Sequence, residues 1–161
     1  MVPRTLTEGR RAPLFTLPGS DGKEHALKGA RGGWVLLYFY PKDDTPGCTV
    51  EAEVLRDAHA AFVARNVTVY GISTDPLKRH ERFSEKLGLP FVLLSDEERV
   101  VVEAYGVWGL KKFMGREYMG TSRDSFLIAP DGTIARIYRG VKPAAHAAEV
   151  LADLDRLQET S

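Results

Sequence analysis

Cys48 is the only cysteine among 161 residues, and its place in the chain makes it a chemical candidate. It follows the turn-forming run Pro41-Lys42-Asp43-Asp44-Thr45-Pro46-Gly47, which itself follows the apolar stretch Val35-Leu36-Leu37-Tyr38-Phe39-Tyr40. Unpaired amides and the dipole at the first turn of the next helix favour negative charge, so a thiol there ionises more readily and becomes a nucleophile. A lone cysteine is more often a small buried hydrophobe. Here the neighbours Thr45, Pro46, Gly47 and Thr49 form a turn and not an apolar stripe, which favours the reactive reading. One cysteine excludes an intramolecular disulfide, a Cys-x-x-Cys redox pair and a cysteine-rich zinc site. Other chemistries find little support. His25, His59, His80 and His146 are widely spaced and match no metal motif, no phosphate-binding loop occurs, and Gly71-Ile72-Ser73-Thr74-Asp75 lacks the last glycine of a nucleophile elbow.

The elements that must position Cys48 are legible in the pattern. Val35 to Tyr40 is a continuous apolar run, expected as a buried central strand. A helix is expected from near Cys48 to about Arg65, with Val50, Val54, Leu55, Ala58 and Phe62 on one side. Val67 to Ile72 reads as a second strand. Asp75-Pro76 reads as an N-cap followed by proline at the first helical position, in a helix that ends at Gly88. Phe91 to Leu94 is a short strand and Asp96 to Tyr105 a short helix. Gly106 to Thr121, polar and aromatic with several glycines, reads as surface loop. Ser125 to Ile128 and Thr133 to Tyr138 are strands joined by the Pro130-Asp131-Gly132 turn, and the last helix runs from about Ala144 to Leu157.

Strands alternating with helices imply parallel pairing through crossovers, and the later hairpin adds an antiparallel edge. The expectation is an α/β fold: a mixed central sheet with helices on both faces. Phe15-Thr16-Leu17 and the Asp21-Gly22 turn supply an N-terminal β-hairpin extension. Sites in open α/β sheets gather at the carboxyl ends of strands, where Cys48 sits.

Composition bounds the function further. The length implies one domain over residues 1–161, burying roughly 69% of its surface. Lys+Arg and Asp+Glu both number 22, so the net charge is zero and no basic excess suggests a nucleic-acid partner. The N-terminal MVPRTLTEGRRAPLF lacks the long apolar core of a secretory signal, and the longest apolar run, Trp34 to Tyr40, is too short to cross a bilayer. A reducing cytoplasm is the expected location, with no membrane partner.

Phe39 to Asp57, FYPKDDTPGCTVEAEVLRD, resembles the active-site stretch of peroxiredoxins, and more closely the Q type, or bacterioferritin comigratory protein group. Tyr105 to Gly109 (YGVWG), Gly115 to Gly120 (GREYMG) and Thr121 to Ile128 (TSRDSFLI) agree with it. The likeness runs from about Arg11 to Leu154. It implies a thioredoxin-like fold and a thiol-dependent peroxidase that reduces hydrogen peroxide and small organic hydroperoxides without metal, haem or flavin. By the same resemblance Cys48 is the peroxidatic thiolate and becomes a sulfenic acid. Thr45 sets its hydroxyl against sulfur and peroxide, Pro41 covers the sulfur, and Arg123 holds positive charge beside the sulfur and the departing oxygen. Glu51, three residues past Cys48, either orients Arg123 or is an exposed surface residue. Tyr40 and Trp108 either line the pocket or pack.

Many members of the group carry a resolving cysteine five residues after the first, where this chain has Glu53, and others place it on the next helix. With no second cysteine here, turnover requires an external thiol: thioredoxin by family habit, or glutaredoxin with glutathione, or another small thiol. A monomer or weak dimer is expected. The alternative function is a redox sensor that passes oxidation to a client protein through a mixed disulfide.

Overall fold

The structure is a computed structural model that describes residues 6–27 and 32–159. The first five residues of the N-terminal stretch lie outside them.

Strand β3 (Trp34–Phe39) has consecutive side chains on opposite faces, and almost all of them are buried. A strand of this kind must lie inside a sheet covered on both sides. Together with β4 (Val67–Ser73), β5 (Val92–Ser95), β8 (Ser125–Ile128) and β9 (Ile134–Tyr138) it forms a five-stranded sheet in the order β5-β4-β3-β8-β9. Strands β3, β4 and β5 are parallel, whereas β8 is antiparallel to β3 and β9 to β8. Leu36 and Tyr38 face one core, shared with helices α1 (Pro46–Asp57), α2 (His59–Ala64), α3 (Leu77–Leu87) and α5 (His146–Glu159). Val35, Leu37 and Phe39 face the other, closed by α4 (Val100–Ala104) and by Leu17 and Leu27 of the N-terminal segment. That segment forms the expected hairpin from β1 (Thr16–Pro18) and β2 (Glu24–Ala26). The mixed sheet with helices on both faces is therefore as read.

One register matters for the site. Tyr38 of β3 pairs with Ser125 of β8, and the Phe39 amide donates to the Asp124 carbonyl at 2.8 Å. Because the two strands are antiparallel, the residues entering β8 lie beside those leaving β3. The turn before Cys48 and the approach to Ser125 thus meet at one end of the sheet.

Four local expectations are corrected. The helix expected from Cys48 to Arg65 is two helices, divided at Ala58 (φ −93°, ψ 0°). The division lets α1 pack on α5 while α2 packs on β4. Val50 is 41% exposed, and the buried positions of α1 are Cys48, Glu51, Ala52 and Leu55. The side chain of Asp75 does not cap α3, whose N-cap is Pro76; it accepts from the Asp43 amide and the Ser73 hydroxyl instead. Gly106 to Thr121 is no loop but contains the hairpin of β6 (Trp108–Phe113) and β7 (Arg116–Thr121). Its turn places Met114 (φ 51°) and Gly115 (φ 78°) in the left-handed region, the geometry that suits the twist of a two-residue hairpin. Exposed Leu110, Tyr118 and Met119 obscure its alternation.

Candidate active site

Proline at the start of α1 supplies no amide where none could be bonded within the helix and sets the backbone angle of the first turn. Cys48 follows in that turn, behind the N-cap Thr45. It is 2% exposed and packs against the core that holds Leu36, Tyr38 and Leu55. Thr45 has extended backbone angles (φ −96°, ψ 155°), and its side chain makes no cap bond. Its hydroxyl donates to the Lys42 carbonyl at 2.9 Å. That bond commits the proton and leaves the oxygen lone pairs free to accept, so Thr45 holds the N-cap position by its backbone while its hydroxyl is turned to the preceding turn.

Arg123 comes from the connection into β8, 75 residues from Cys48. Its Nη1 lies 3.5 Å from the Cys48 sulfur and donates to Glu51 Oε1 at 3.0 Å. Burial works against its charge, yet the facing Cys48 and Glu51 hold its pKa above the ordinary range. The guanidinium also lies over Gly47, where a Cβ would stand 2.9 Å from Nη2. Glycine is needed there for close approach.

Glu51 is fully buried. Burial pushes its carboxyl up to about 7, against the opposing pull of Arg123. Its position three residues after Cys48 was the available signal, since residues at that spacing share a helix face; its burial was not legible. Tyr38, equally buried, has its hydroxyl pushed well above the usual range by burial first, then by Glu51, Asp43 and Cys48.

Pro41 is exposed and lines a cleft of about 490 Å³ together with Arg123, Trp108, Lys111 and Tyr118. Trp108 thus lies on the cleft, as one of its two readings allowed. Tyr40 does not: it is buried, with its hydroxyl donating to Asp43 at 2.5 Å. A second cavity, about 430 Å³ between β1 and α4, contains none of the residues around Cys48.

The histidines dismissed on spacing include one that the fold brings to acidic partners. Among the described residues Asp43, Asp75 and His80 offer ligand atoms within 4.8 Å of one another, all buried. These atoms are already engaged. His80 Nδ1 lies 2.6 Å from Asp43 Oδ2 and Nε2 lies 3.0 Å from the Leu94 carbonyl. Asp75 accepts from the Asp43 amide at 2.8 Å. The donor set fits a hydrogen-bonded clamp better than a metal centre, and what it clamps is the turn that carries Pro41 and Thr45. Lys86 adds an exposed bond to Asp44, whose φ of 62° fixes the same turn.

Residues 9–137 match the AhpC/TSA family. The chain is 43% identical over 155 residues to peroxiredoxin Bcp of Bacillus subtilis, spanning 96% of this chain and 99% of that protein. It is 48% identical over 146 residues to peroxiredoxin Bcp of Escherichia coli, spanning 91% and 94%. Among solved structures, the bacterioferritin comigratory protein of Xanthomonas campestris, described for its alkyl peroxide reduction, superposes with a TM-score of 0.83 at 36% identity, covering 88% of this chain and 90% of its own. PrxQ of Xylella fastidiosa superposes at 0.86 with 33% identity, covering 98% and 97%. The Xanthomonas protein has been solved with serine in place of either of two cysteines, whereas this chain has one.

Proposed function

The chain belongs to the AhpC/TSA family with the thioredoxin-like fold of its peroxiredoxins and is a thiol-dependent peroxidase, and from that premise we propose that Cys48 is the sulfur that attacks the peroxide. The observation that carries this reading is the Arg123 guanidinium 3.5 Å from the Cys48 sulfur at the first turn of α1. Attack by a thiolate forms a sulfur–oxygen bond and breaks the O–O bond. The leaving oxygen departs, once protonated, as water or an alcohol, and the cysteine becomes a sulfenic acid. Charge builds on that oxygen during the step, and Arg123 is the cation at hand to stabilise it. Thr45, its hydroxyl turned by Lys42, accepts from the incoming peroxide, and Pro41 limits water at the mouth of the cleft.

The substrates of this reading are hydrogen peroxide and small organic hydroperoxides. With one cysteine in the chain, the sulfenic acid has no internal thiol to condense with. An external thiol therefore forms a mixed disulfide with Cys48 and releases water, and a second thiol frees Cys48. Thioredoxin is the proposed reductant. The protein works as one domain over residues 1–161, in the cytoplasm, as a monomer or weak dimer. No helix among the described residues is long and apolar enough to cross a membrane.

The test follows consumption of hydrogen peroxide with thioredoxin and its reductase. Cys48→Ser should abolish turnover while circular dichroism stays that of the wild type. In the wild type without thiols, one equivalent of peroxide should add a single oxygen at Cys48 by mass spectrometry, and excess should drive it on to the sulfinic acid. Turnover surviving in Cys48→Ser would refute the assignment.

A further inference from the structure

Arg123 holds two acidic groups with one nitrogen. Its Nη1 donates to Glu51 Oε1 at 3.0 Å and lies 3.5 Å from the Cys48 sulfur. Glu51 is fully buried, and its second oxygen, Oε2, has no hydrogen-bond partner among the described residues. A buried carboxylate oxygen without a donor is costly, and protonation removes much of that cost. Burial does push Glu51 up to about 7 in spite of Arg123. The charged and titratable groups around it among the described residues are Arg123 from the β7–β8 connection, Cys48 on α1, and the buried Tyr38 hydroxyl from β3, which also has no partner there. A thiolate, a carboxylate and one guanidinium would leave an uncompensated buried charge. A thiolate, a guanidinium and a neutral acid leave none.

We propose that Glu51 is a positioning residue that keeps its proton while Cys48 is a thiolate and gives it up when Cys48 is oxidised, so that a single anion faces Arg123 throughout. This rests on Cys48 being the attacking sulfur. In the balanced step, the Cys48 thiolate bonds to one peroxide oxygen and the O–O bond breaks. Sulfur is oxidised and the peroxide reduced. The leaving hydroxide or alkoxide is neutralised by one proton, and Glu51, one proton poorer, is left as the carboxylate. Negative charge has moved from the sulfur to Glu51 and stays beside the same guanidinium nitrogen. A Glu51 already ionised before attack would divert Arg123 from the sulfur and from the charge developing on the departing oxygen.

The test is the second-order rate constant for Cys48 oxidation by hydrogen peroxide, measured by stopped flow for the wild type and Glu51→Gln. Glutamine keeps an acceptor oxygen for Arg123 and cannot ionise. A group titrating at about 7 passes from roughly nine-tenths to roughly one-tenth protonated between about pH 6 and pH 8. The quotient of wild-type over Glu51→Gln rate constants should therefore fall about tenfold across that interval. Infrared difference spectra of wild type at the lower pH should show a protonated carboxyl band lost and a carboxylate band gained on oxidation, and Glu51→Gln should show neither. A flat quotient or an unchanged carboxyl band overturns the proposal. Failure of the underlying reading is distinguishable, because peroxide turnover would then survive in Cys48→Ser.

Discussion

At the scale of single residues, Arg123 and Gly47 form one unit. The guanidinium reaches the Cys48 sulfur by passing over a position without a side chain, and a Cβ at Gly47 would stand 2.9 Å from Nη2. Gly47 lies in the first turn of α1 and is absent from the positive-φ glycines, so alanine suits its backbone and should leave stability unchanged or raise it by up to about 1 kcal/mol. The same methyl must push the guanidinium aside. Gly47→Ala is therefore expected to separate two properties: unfolding in urea at or above the wild-type midpoint, and Cys48 oxidation about tenfold slower. Arg123→Ala should slow oxidation by roughly 10²–10³, the usual loss of one transition-state donor. A Gly47→Ala protein that reacts at the wild-type rate would show that the close approach has no kinetic consequence.

At the scale of elements, α1 is continuous from Pro46 to Asp57 and contains both Cys48 and Glu53. Residues five apart in an intact α-helix have Cα atoms roughly 8.7 Å apart, beyond the ~7 Å limit for a disulfide. A resolving cysteine at position 53 could close only if the first turns of α1 unwound. Here the turn entering α1 is held by buried Asp43, Asp75 and His80 and by the bond from Lys86 to Asp44, which opposes unwinding. Glu53→Cys is expected to form a disulfide with Cys48 after peroxide treatment, more slowly than Cys48 itself is oxidised and with a fall in helical circular dichroism as it closes. Closure as fast as oxidation, with helix content unchanged, would mean that the first turns of α1 are already open in solution.

At the scale of the whole molecule, α5 closes the core face that carries Cys48, and it does so through a buried histidine. His146 Nε2 lies 2.8 Å from the Ser125 hydroxyl on β8, while Nδ1 has no partner among the described residues. Burial pushes the imidazole down to about 4. An unfolded histidine titrates near ~6.5, so between about pH 6.5 and pH 4 the unfolded chain binds a proton that the folded chain refuses. Stability from this group is present above the upper value and is lost as pH falls through the window, by about 1.4 kcal/mol per pH unit. Urea unfolding at a series of pH values should show this loss in wild type and a shallower one in His146→Phe. Equal slopes in the two proteins would show that His146 is protonated in the folded state.

The chain by itself determined much of this protein. The strand after Gly33, the turn after it, the cysteine at the head of the next helix, and the parallel strand–helix alternation of the first half are legible, because apolar periodicity and turn chemistry act over a few residues. Arg123 could be named only through a resemblance; its place beside Cys48 follows from the antiparallel pairing of β8 with β3, which joins positions 75 residues apart. The hairpin of β6 and β7 is not legible in the sequence, because its exposed strands bury little and so leave no alternation. Glu51 read equally well as surface or as partner, and only the packing of α1 on the sheet and α5 made it buried. His80 looked isolated along the chain, yet α3 carries it to Asp43 and Asp75. Local conformation is written in short-range propensity, whereas burial and charge pairing at the site depend on which distant segments pack together, and the tertiary structure decides that.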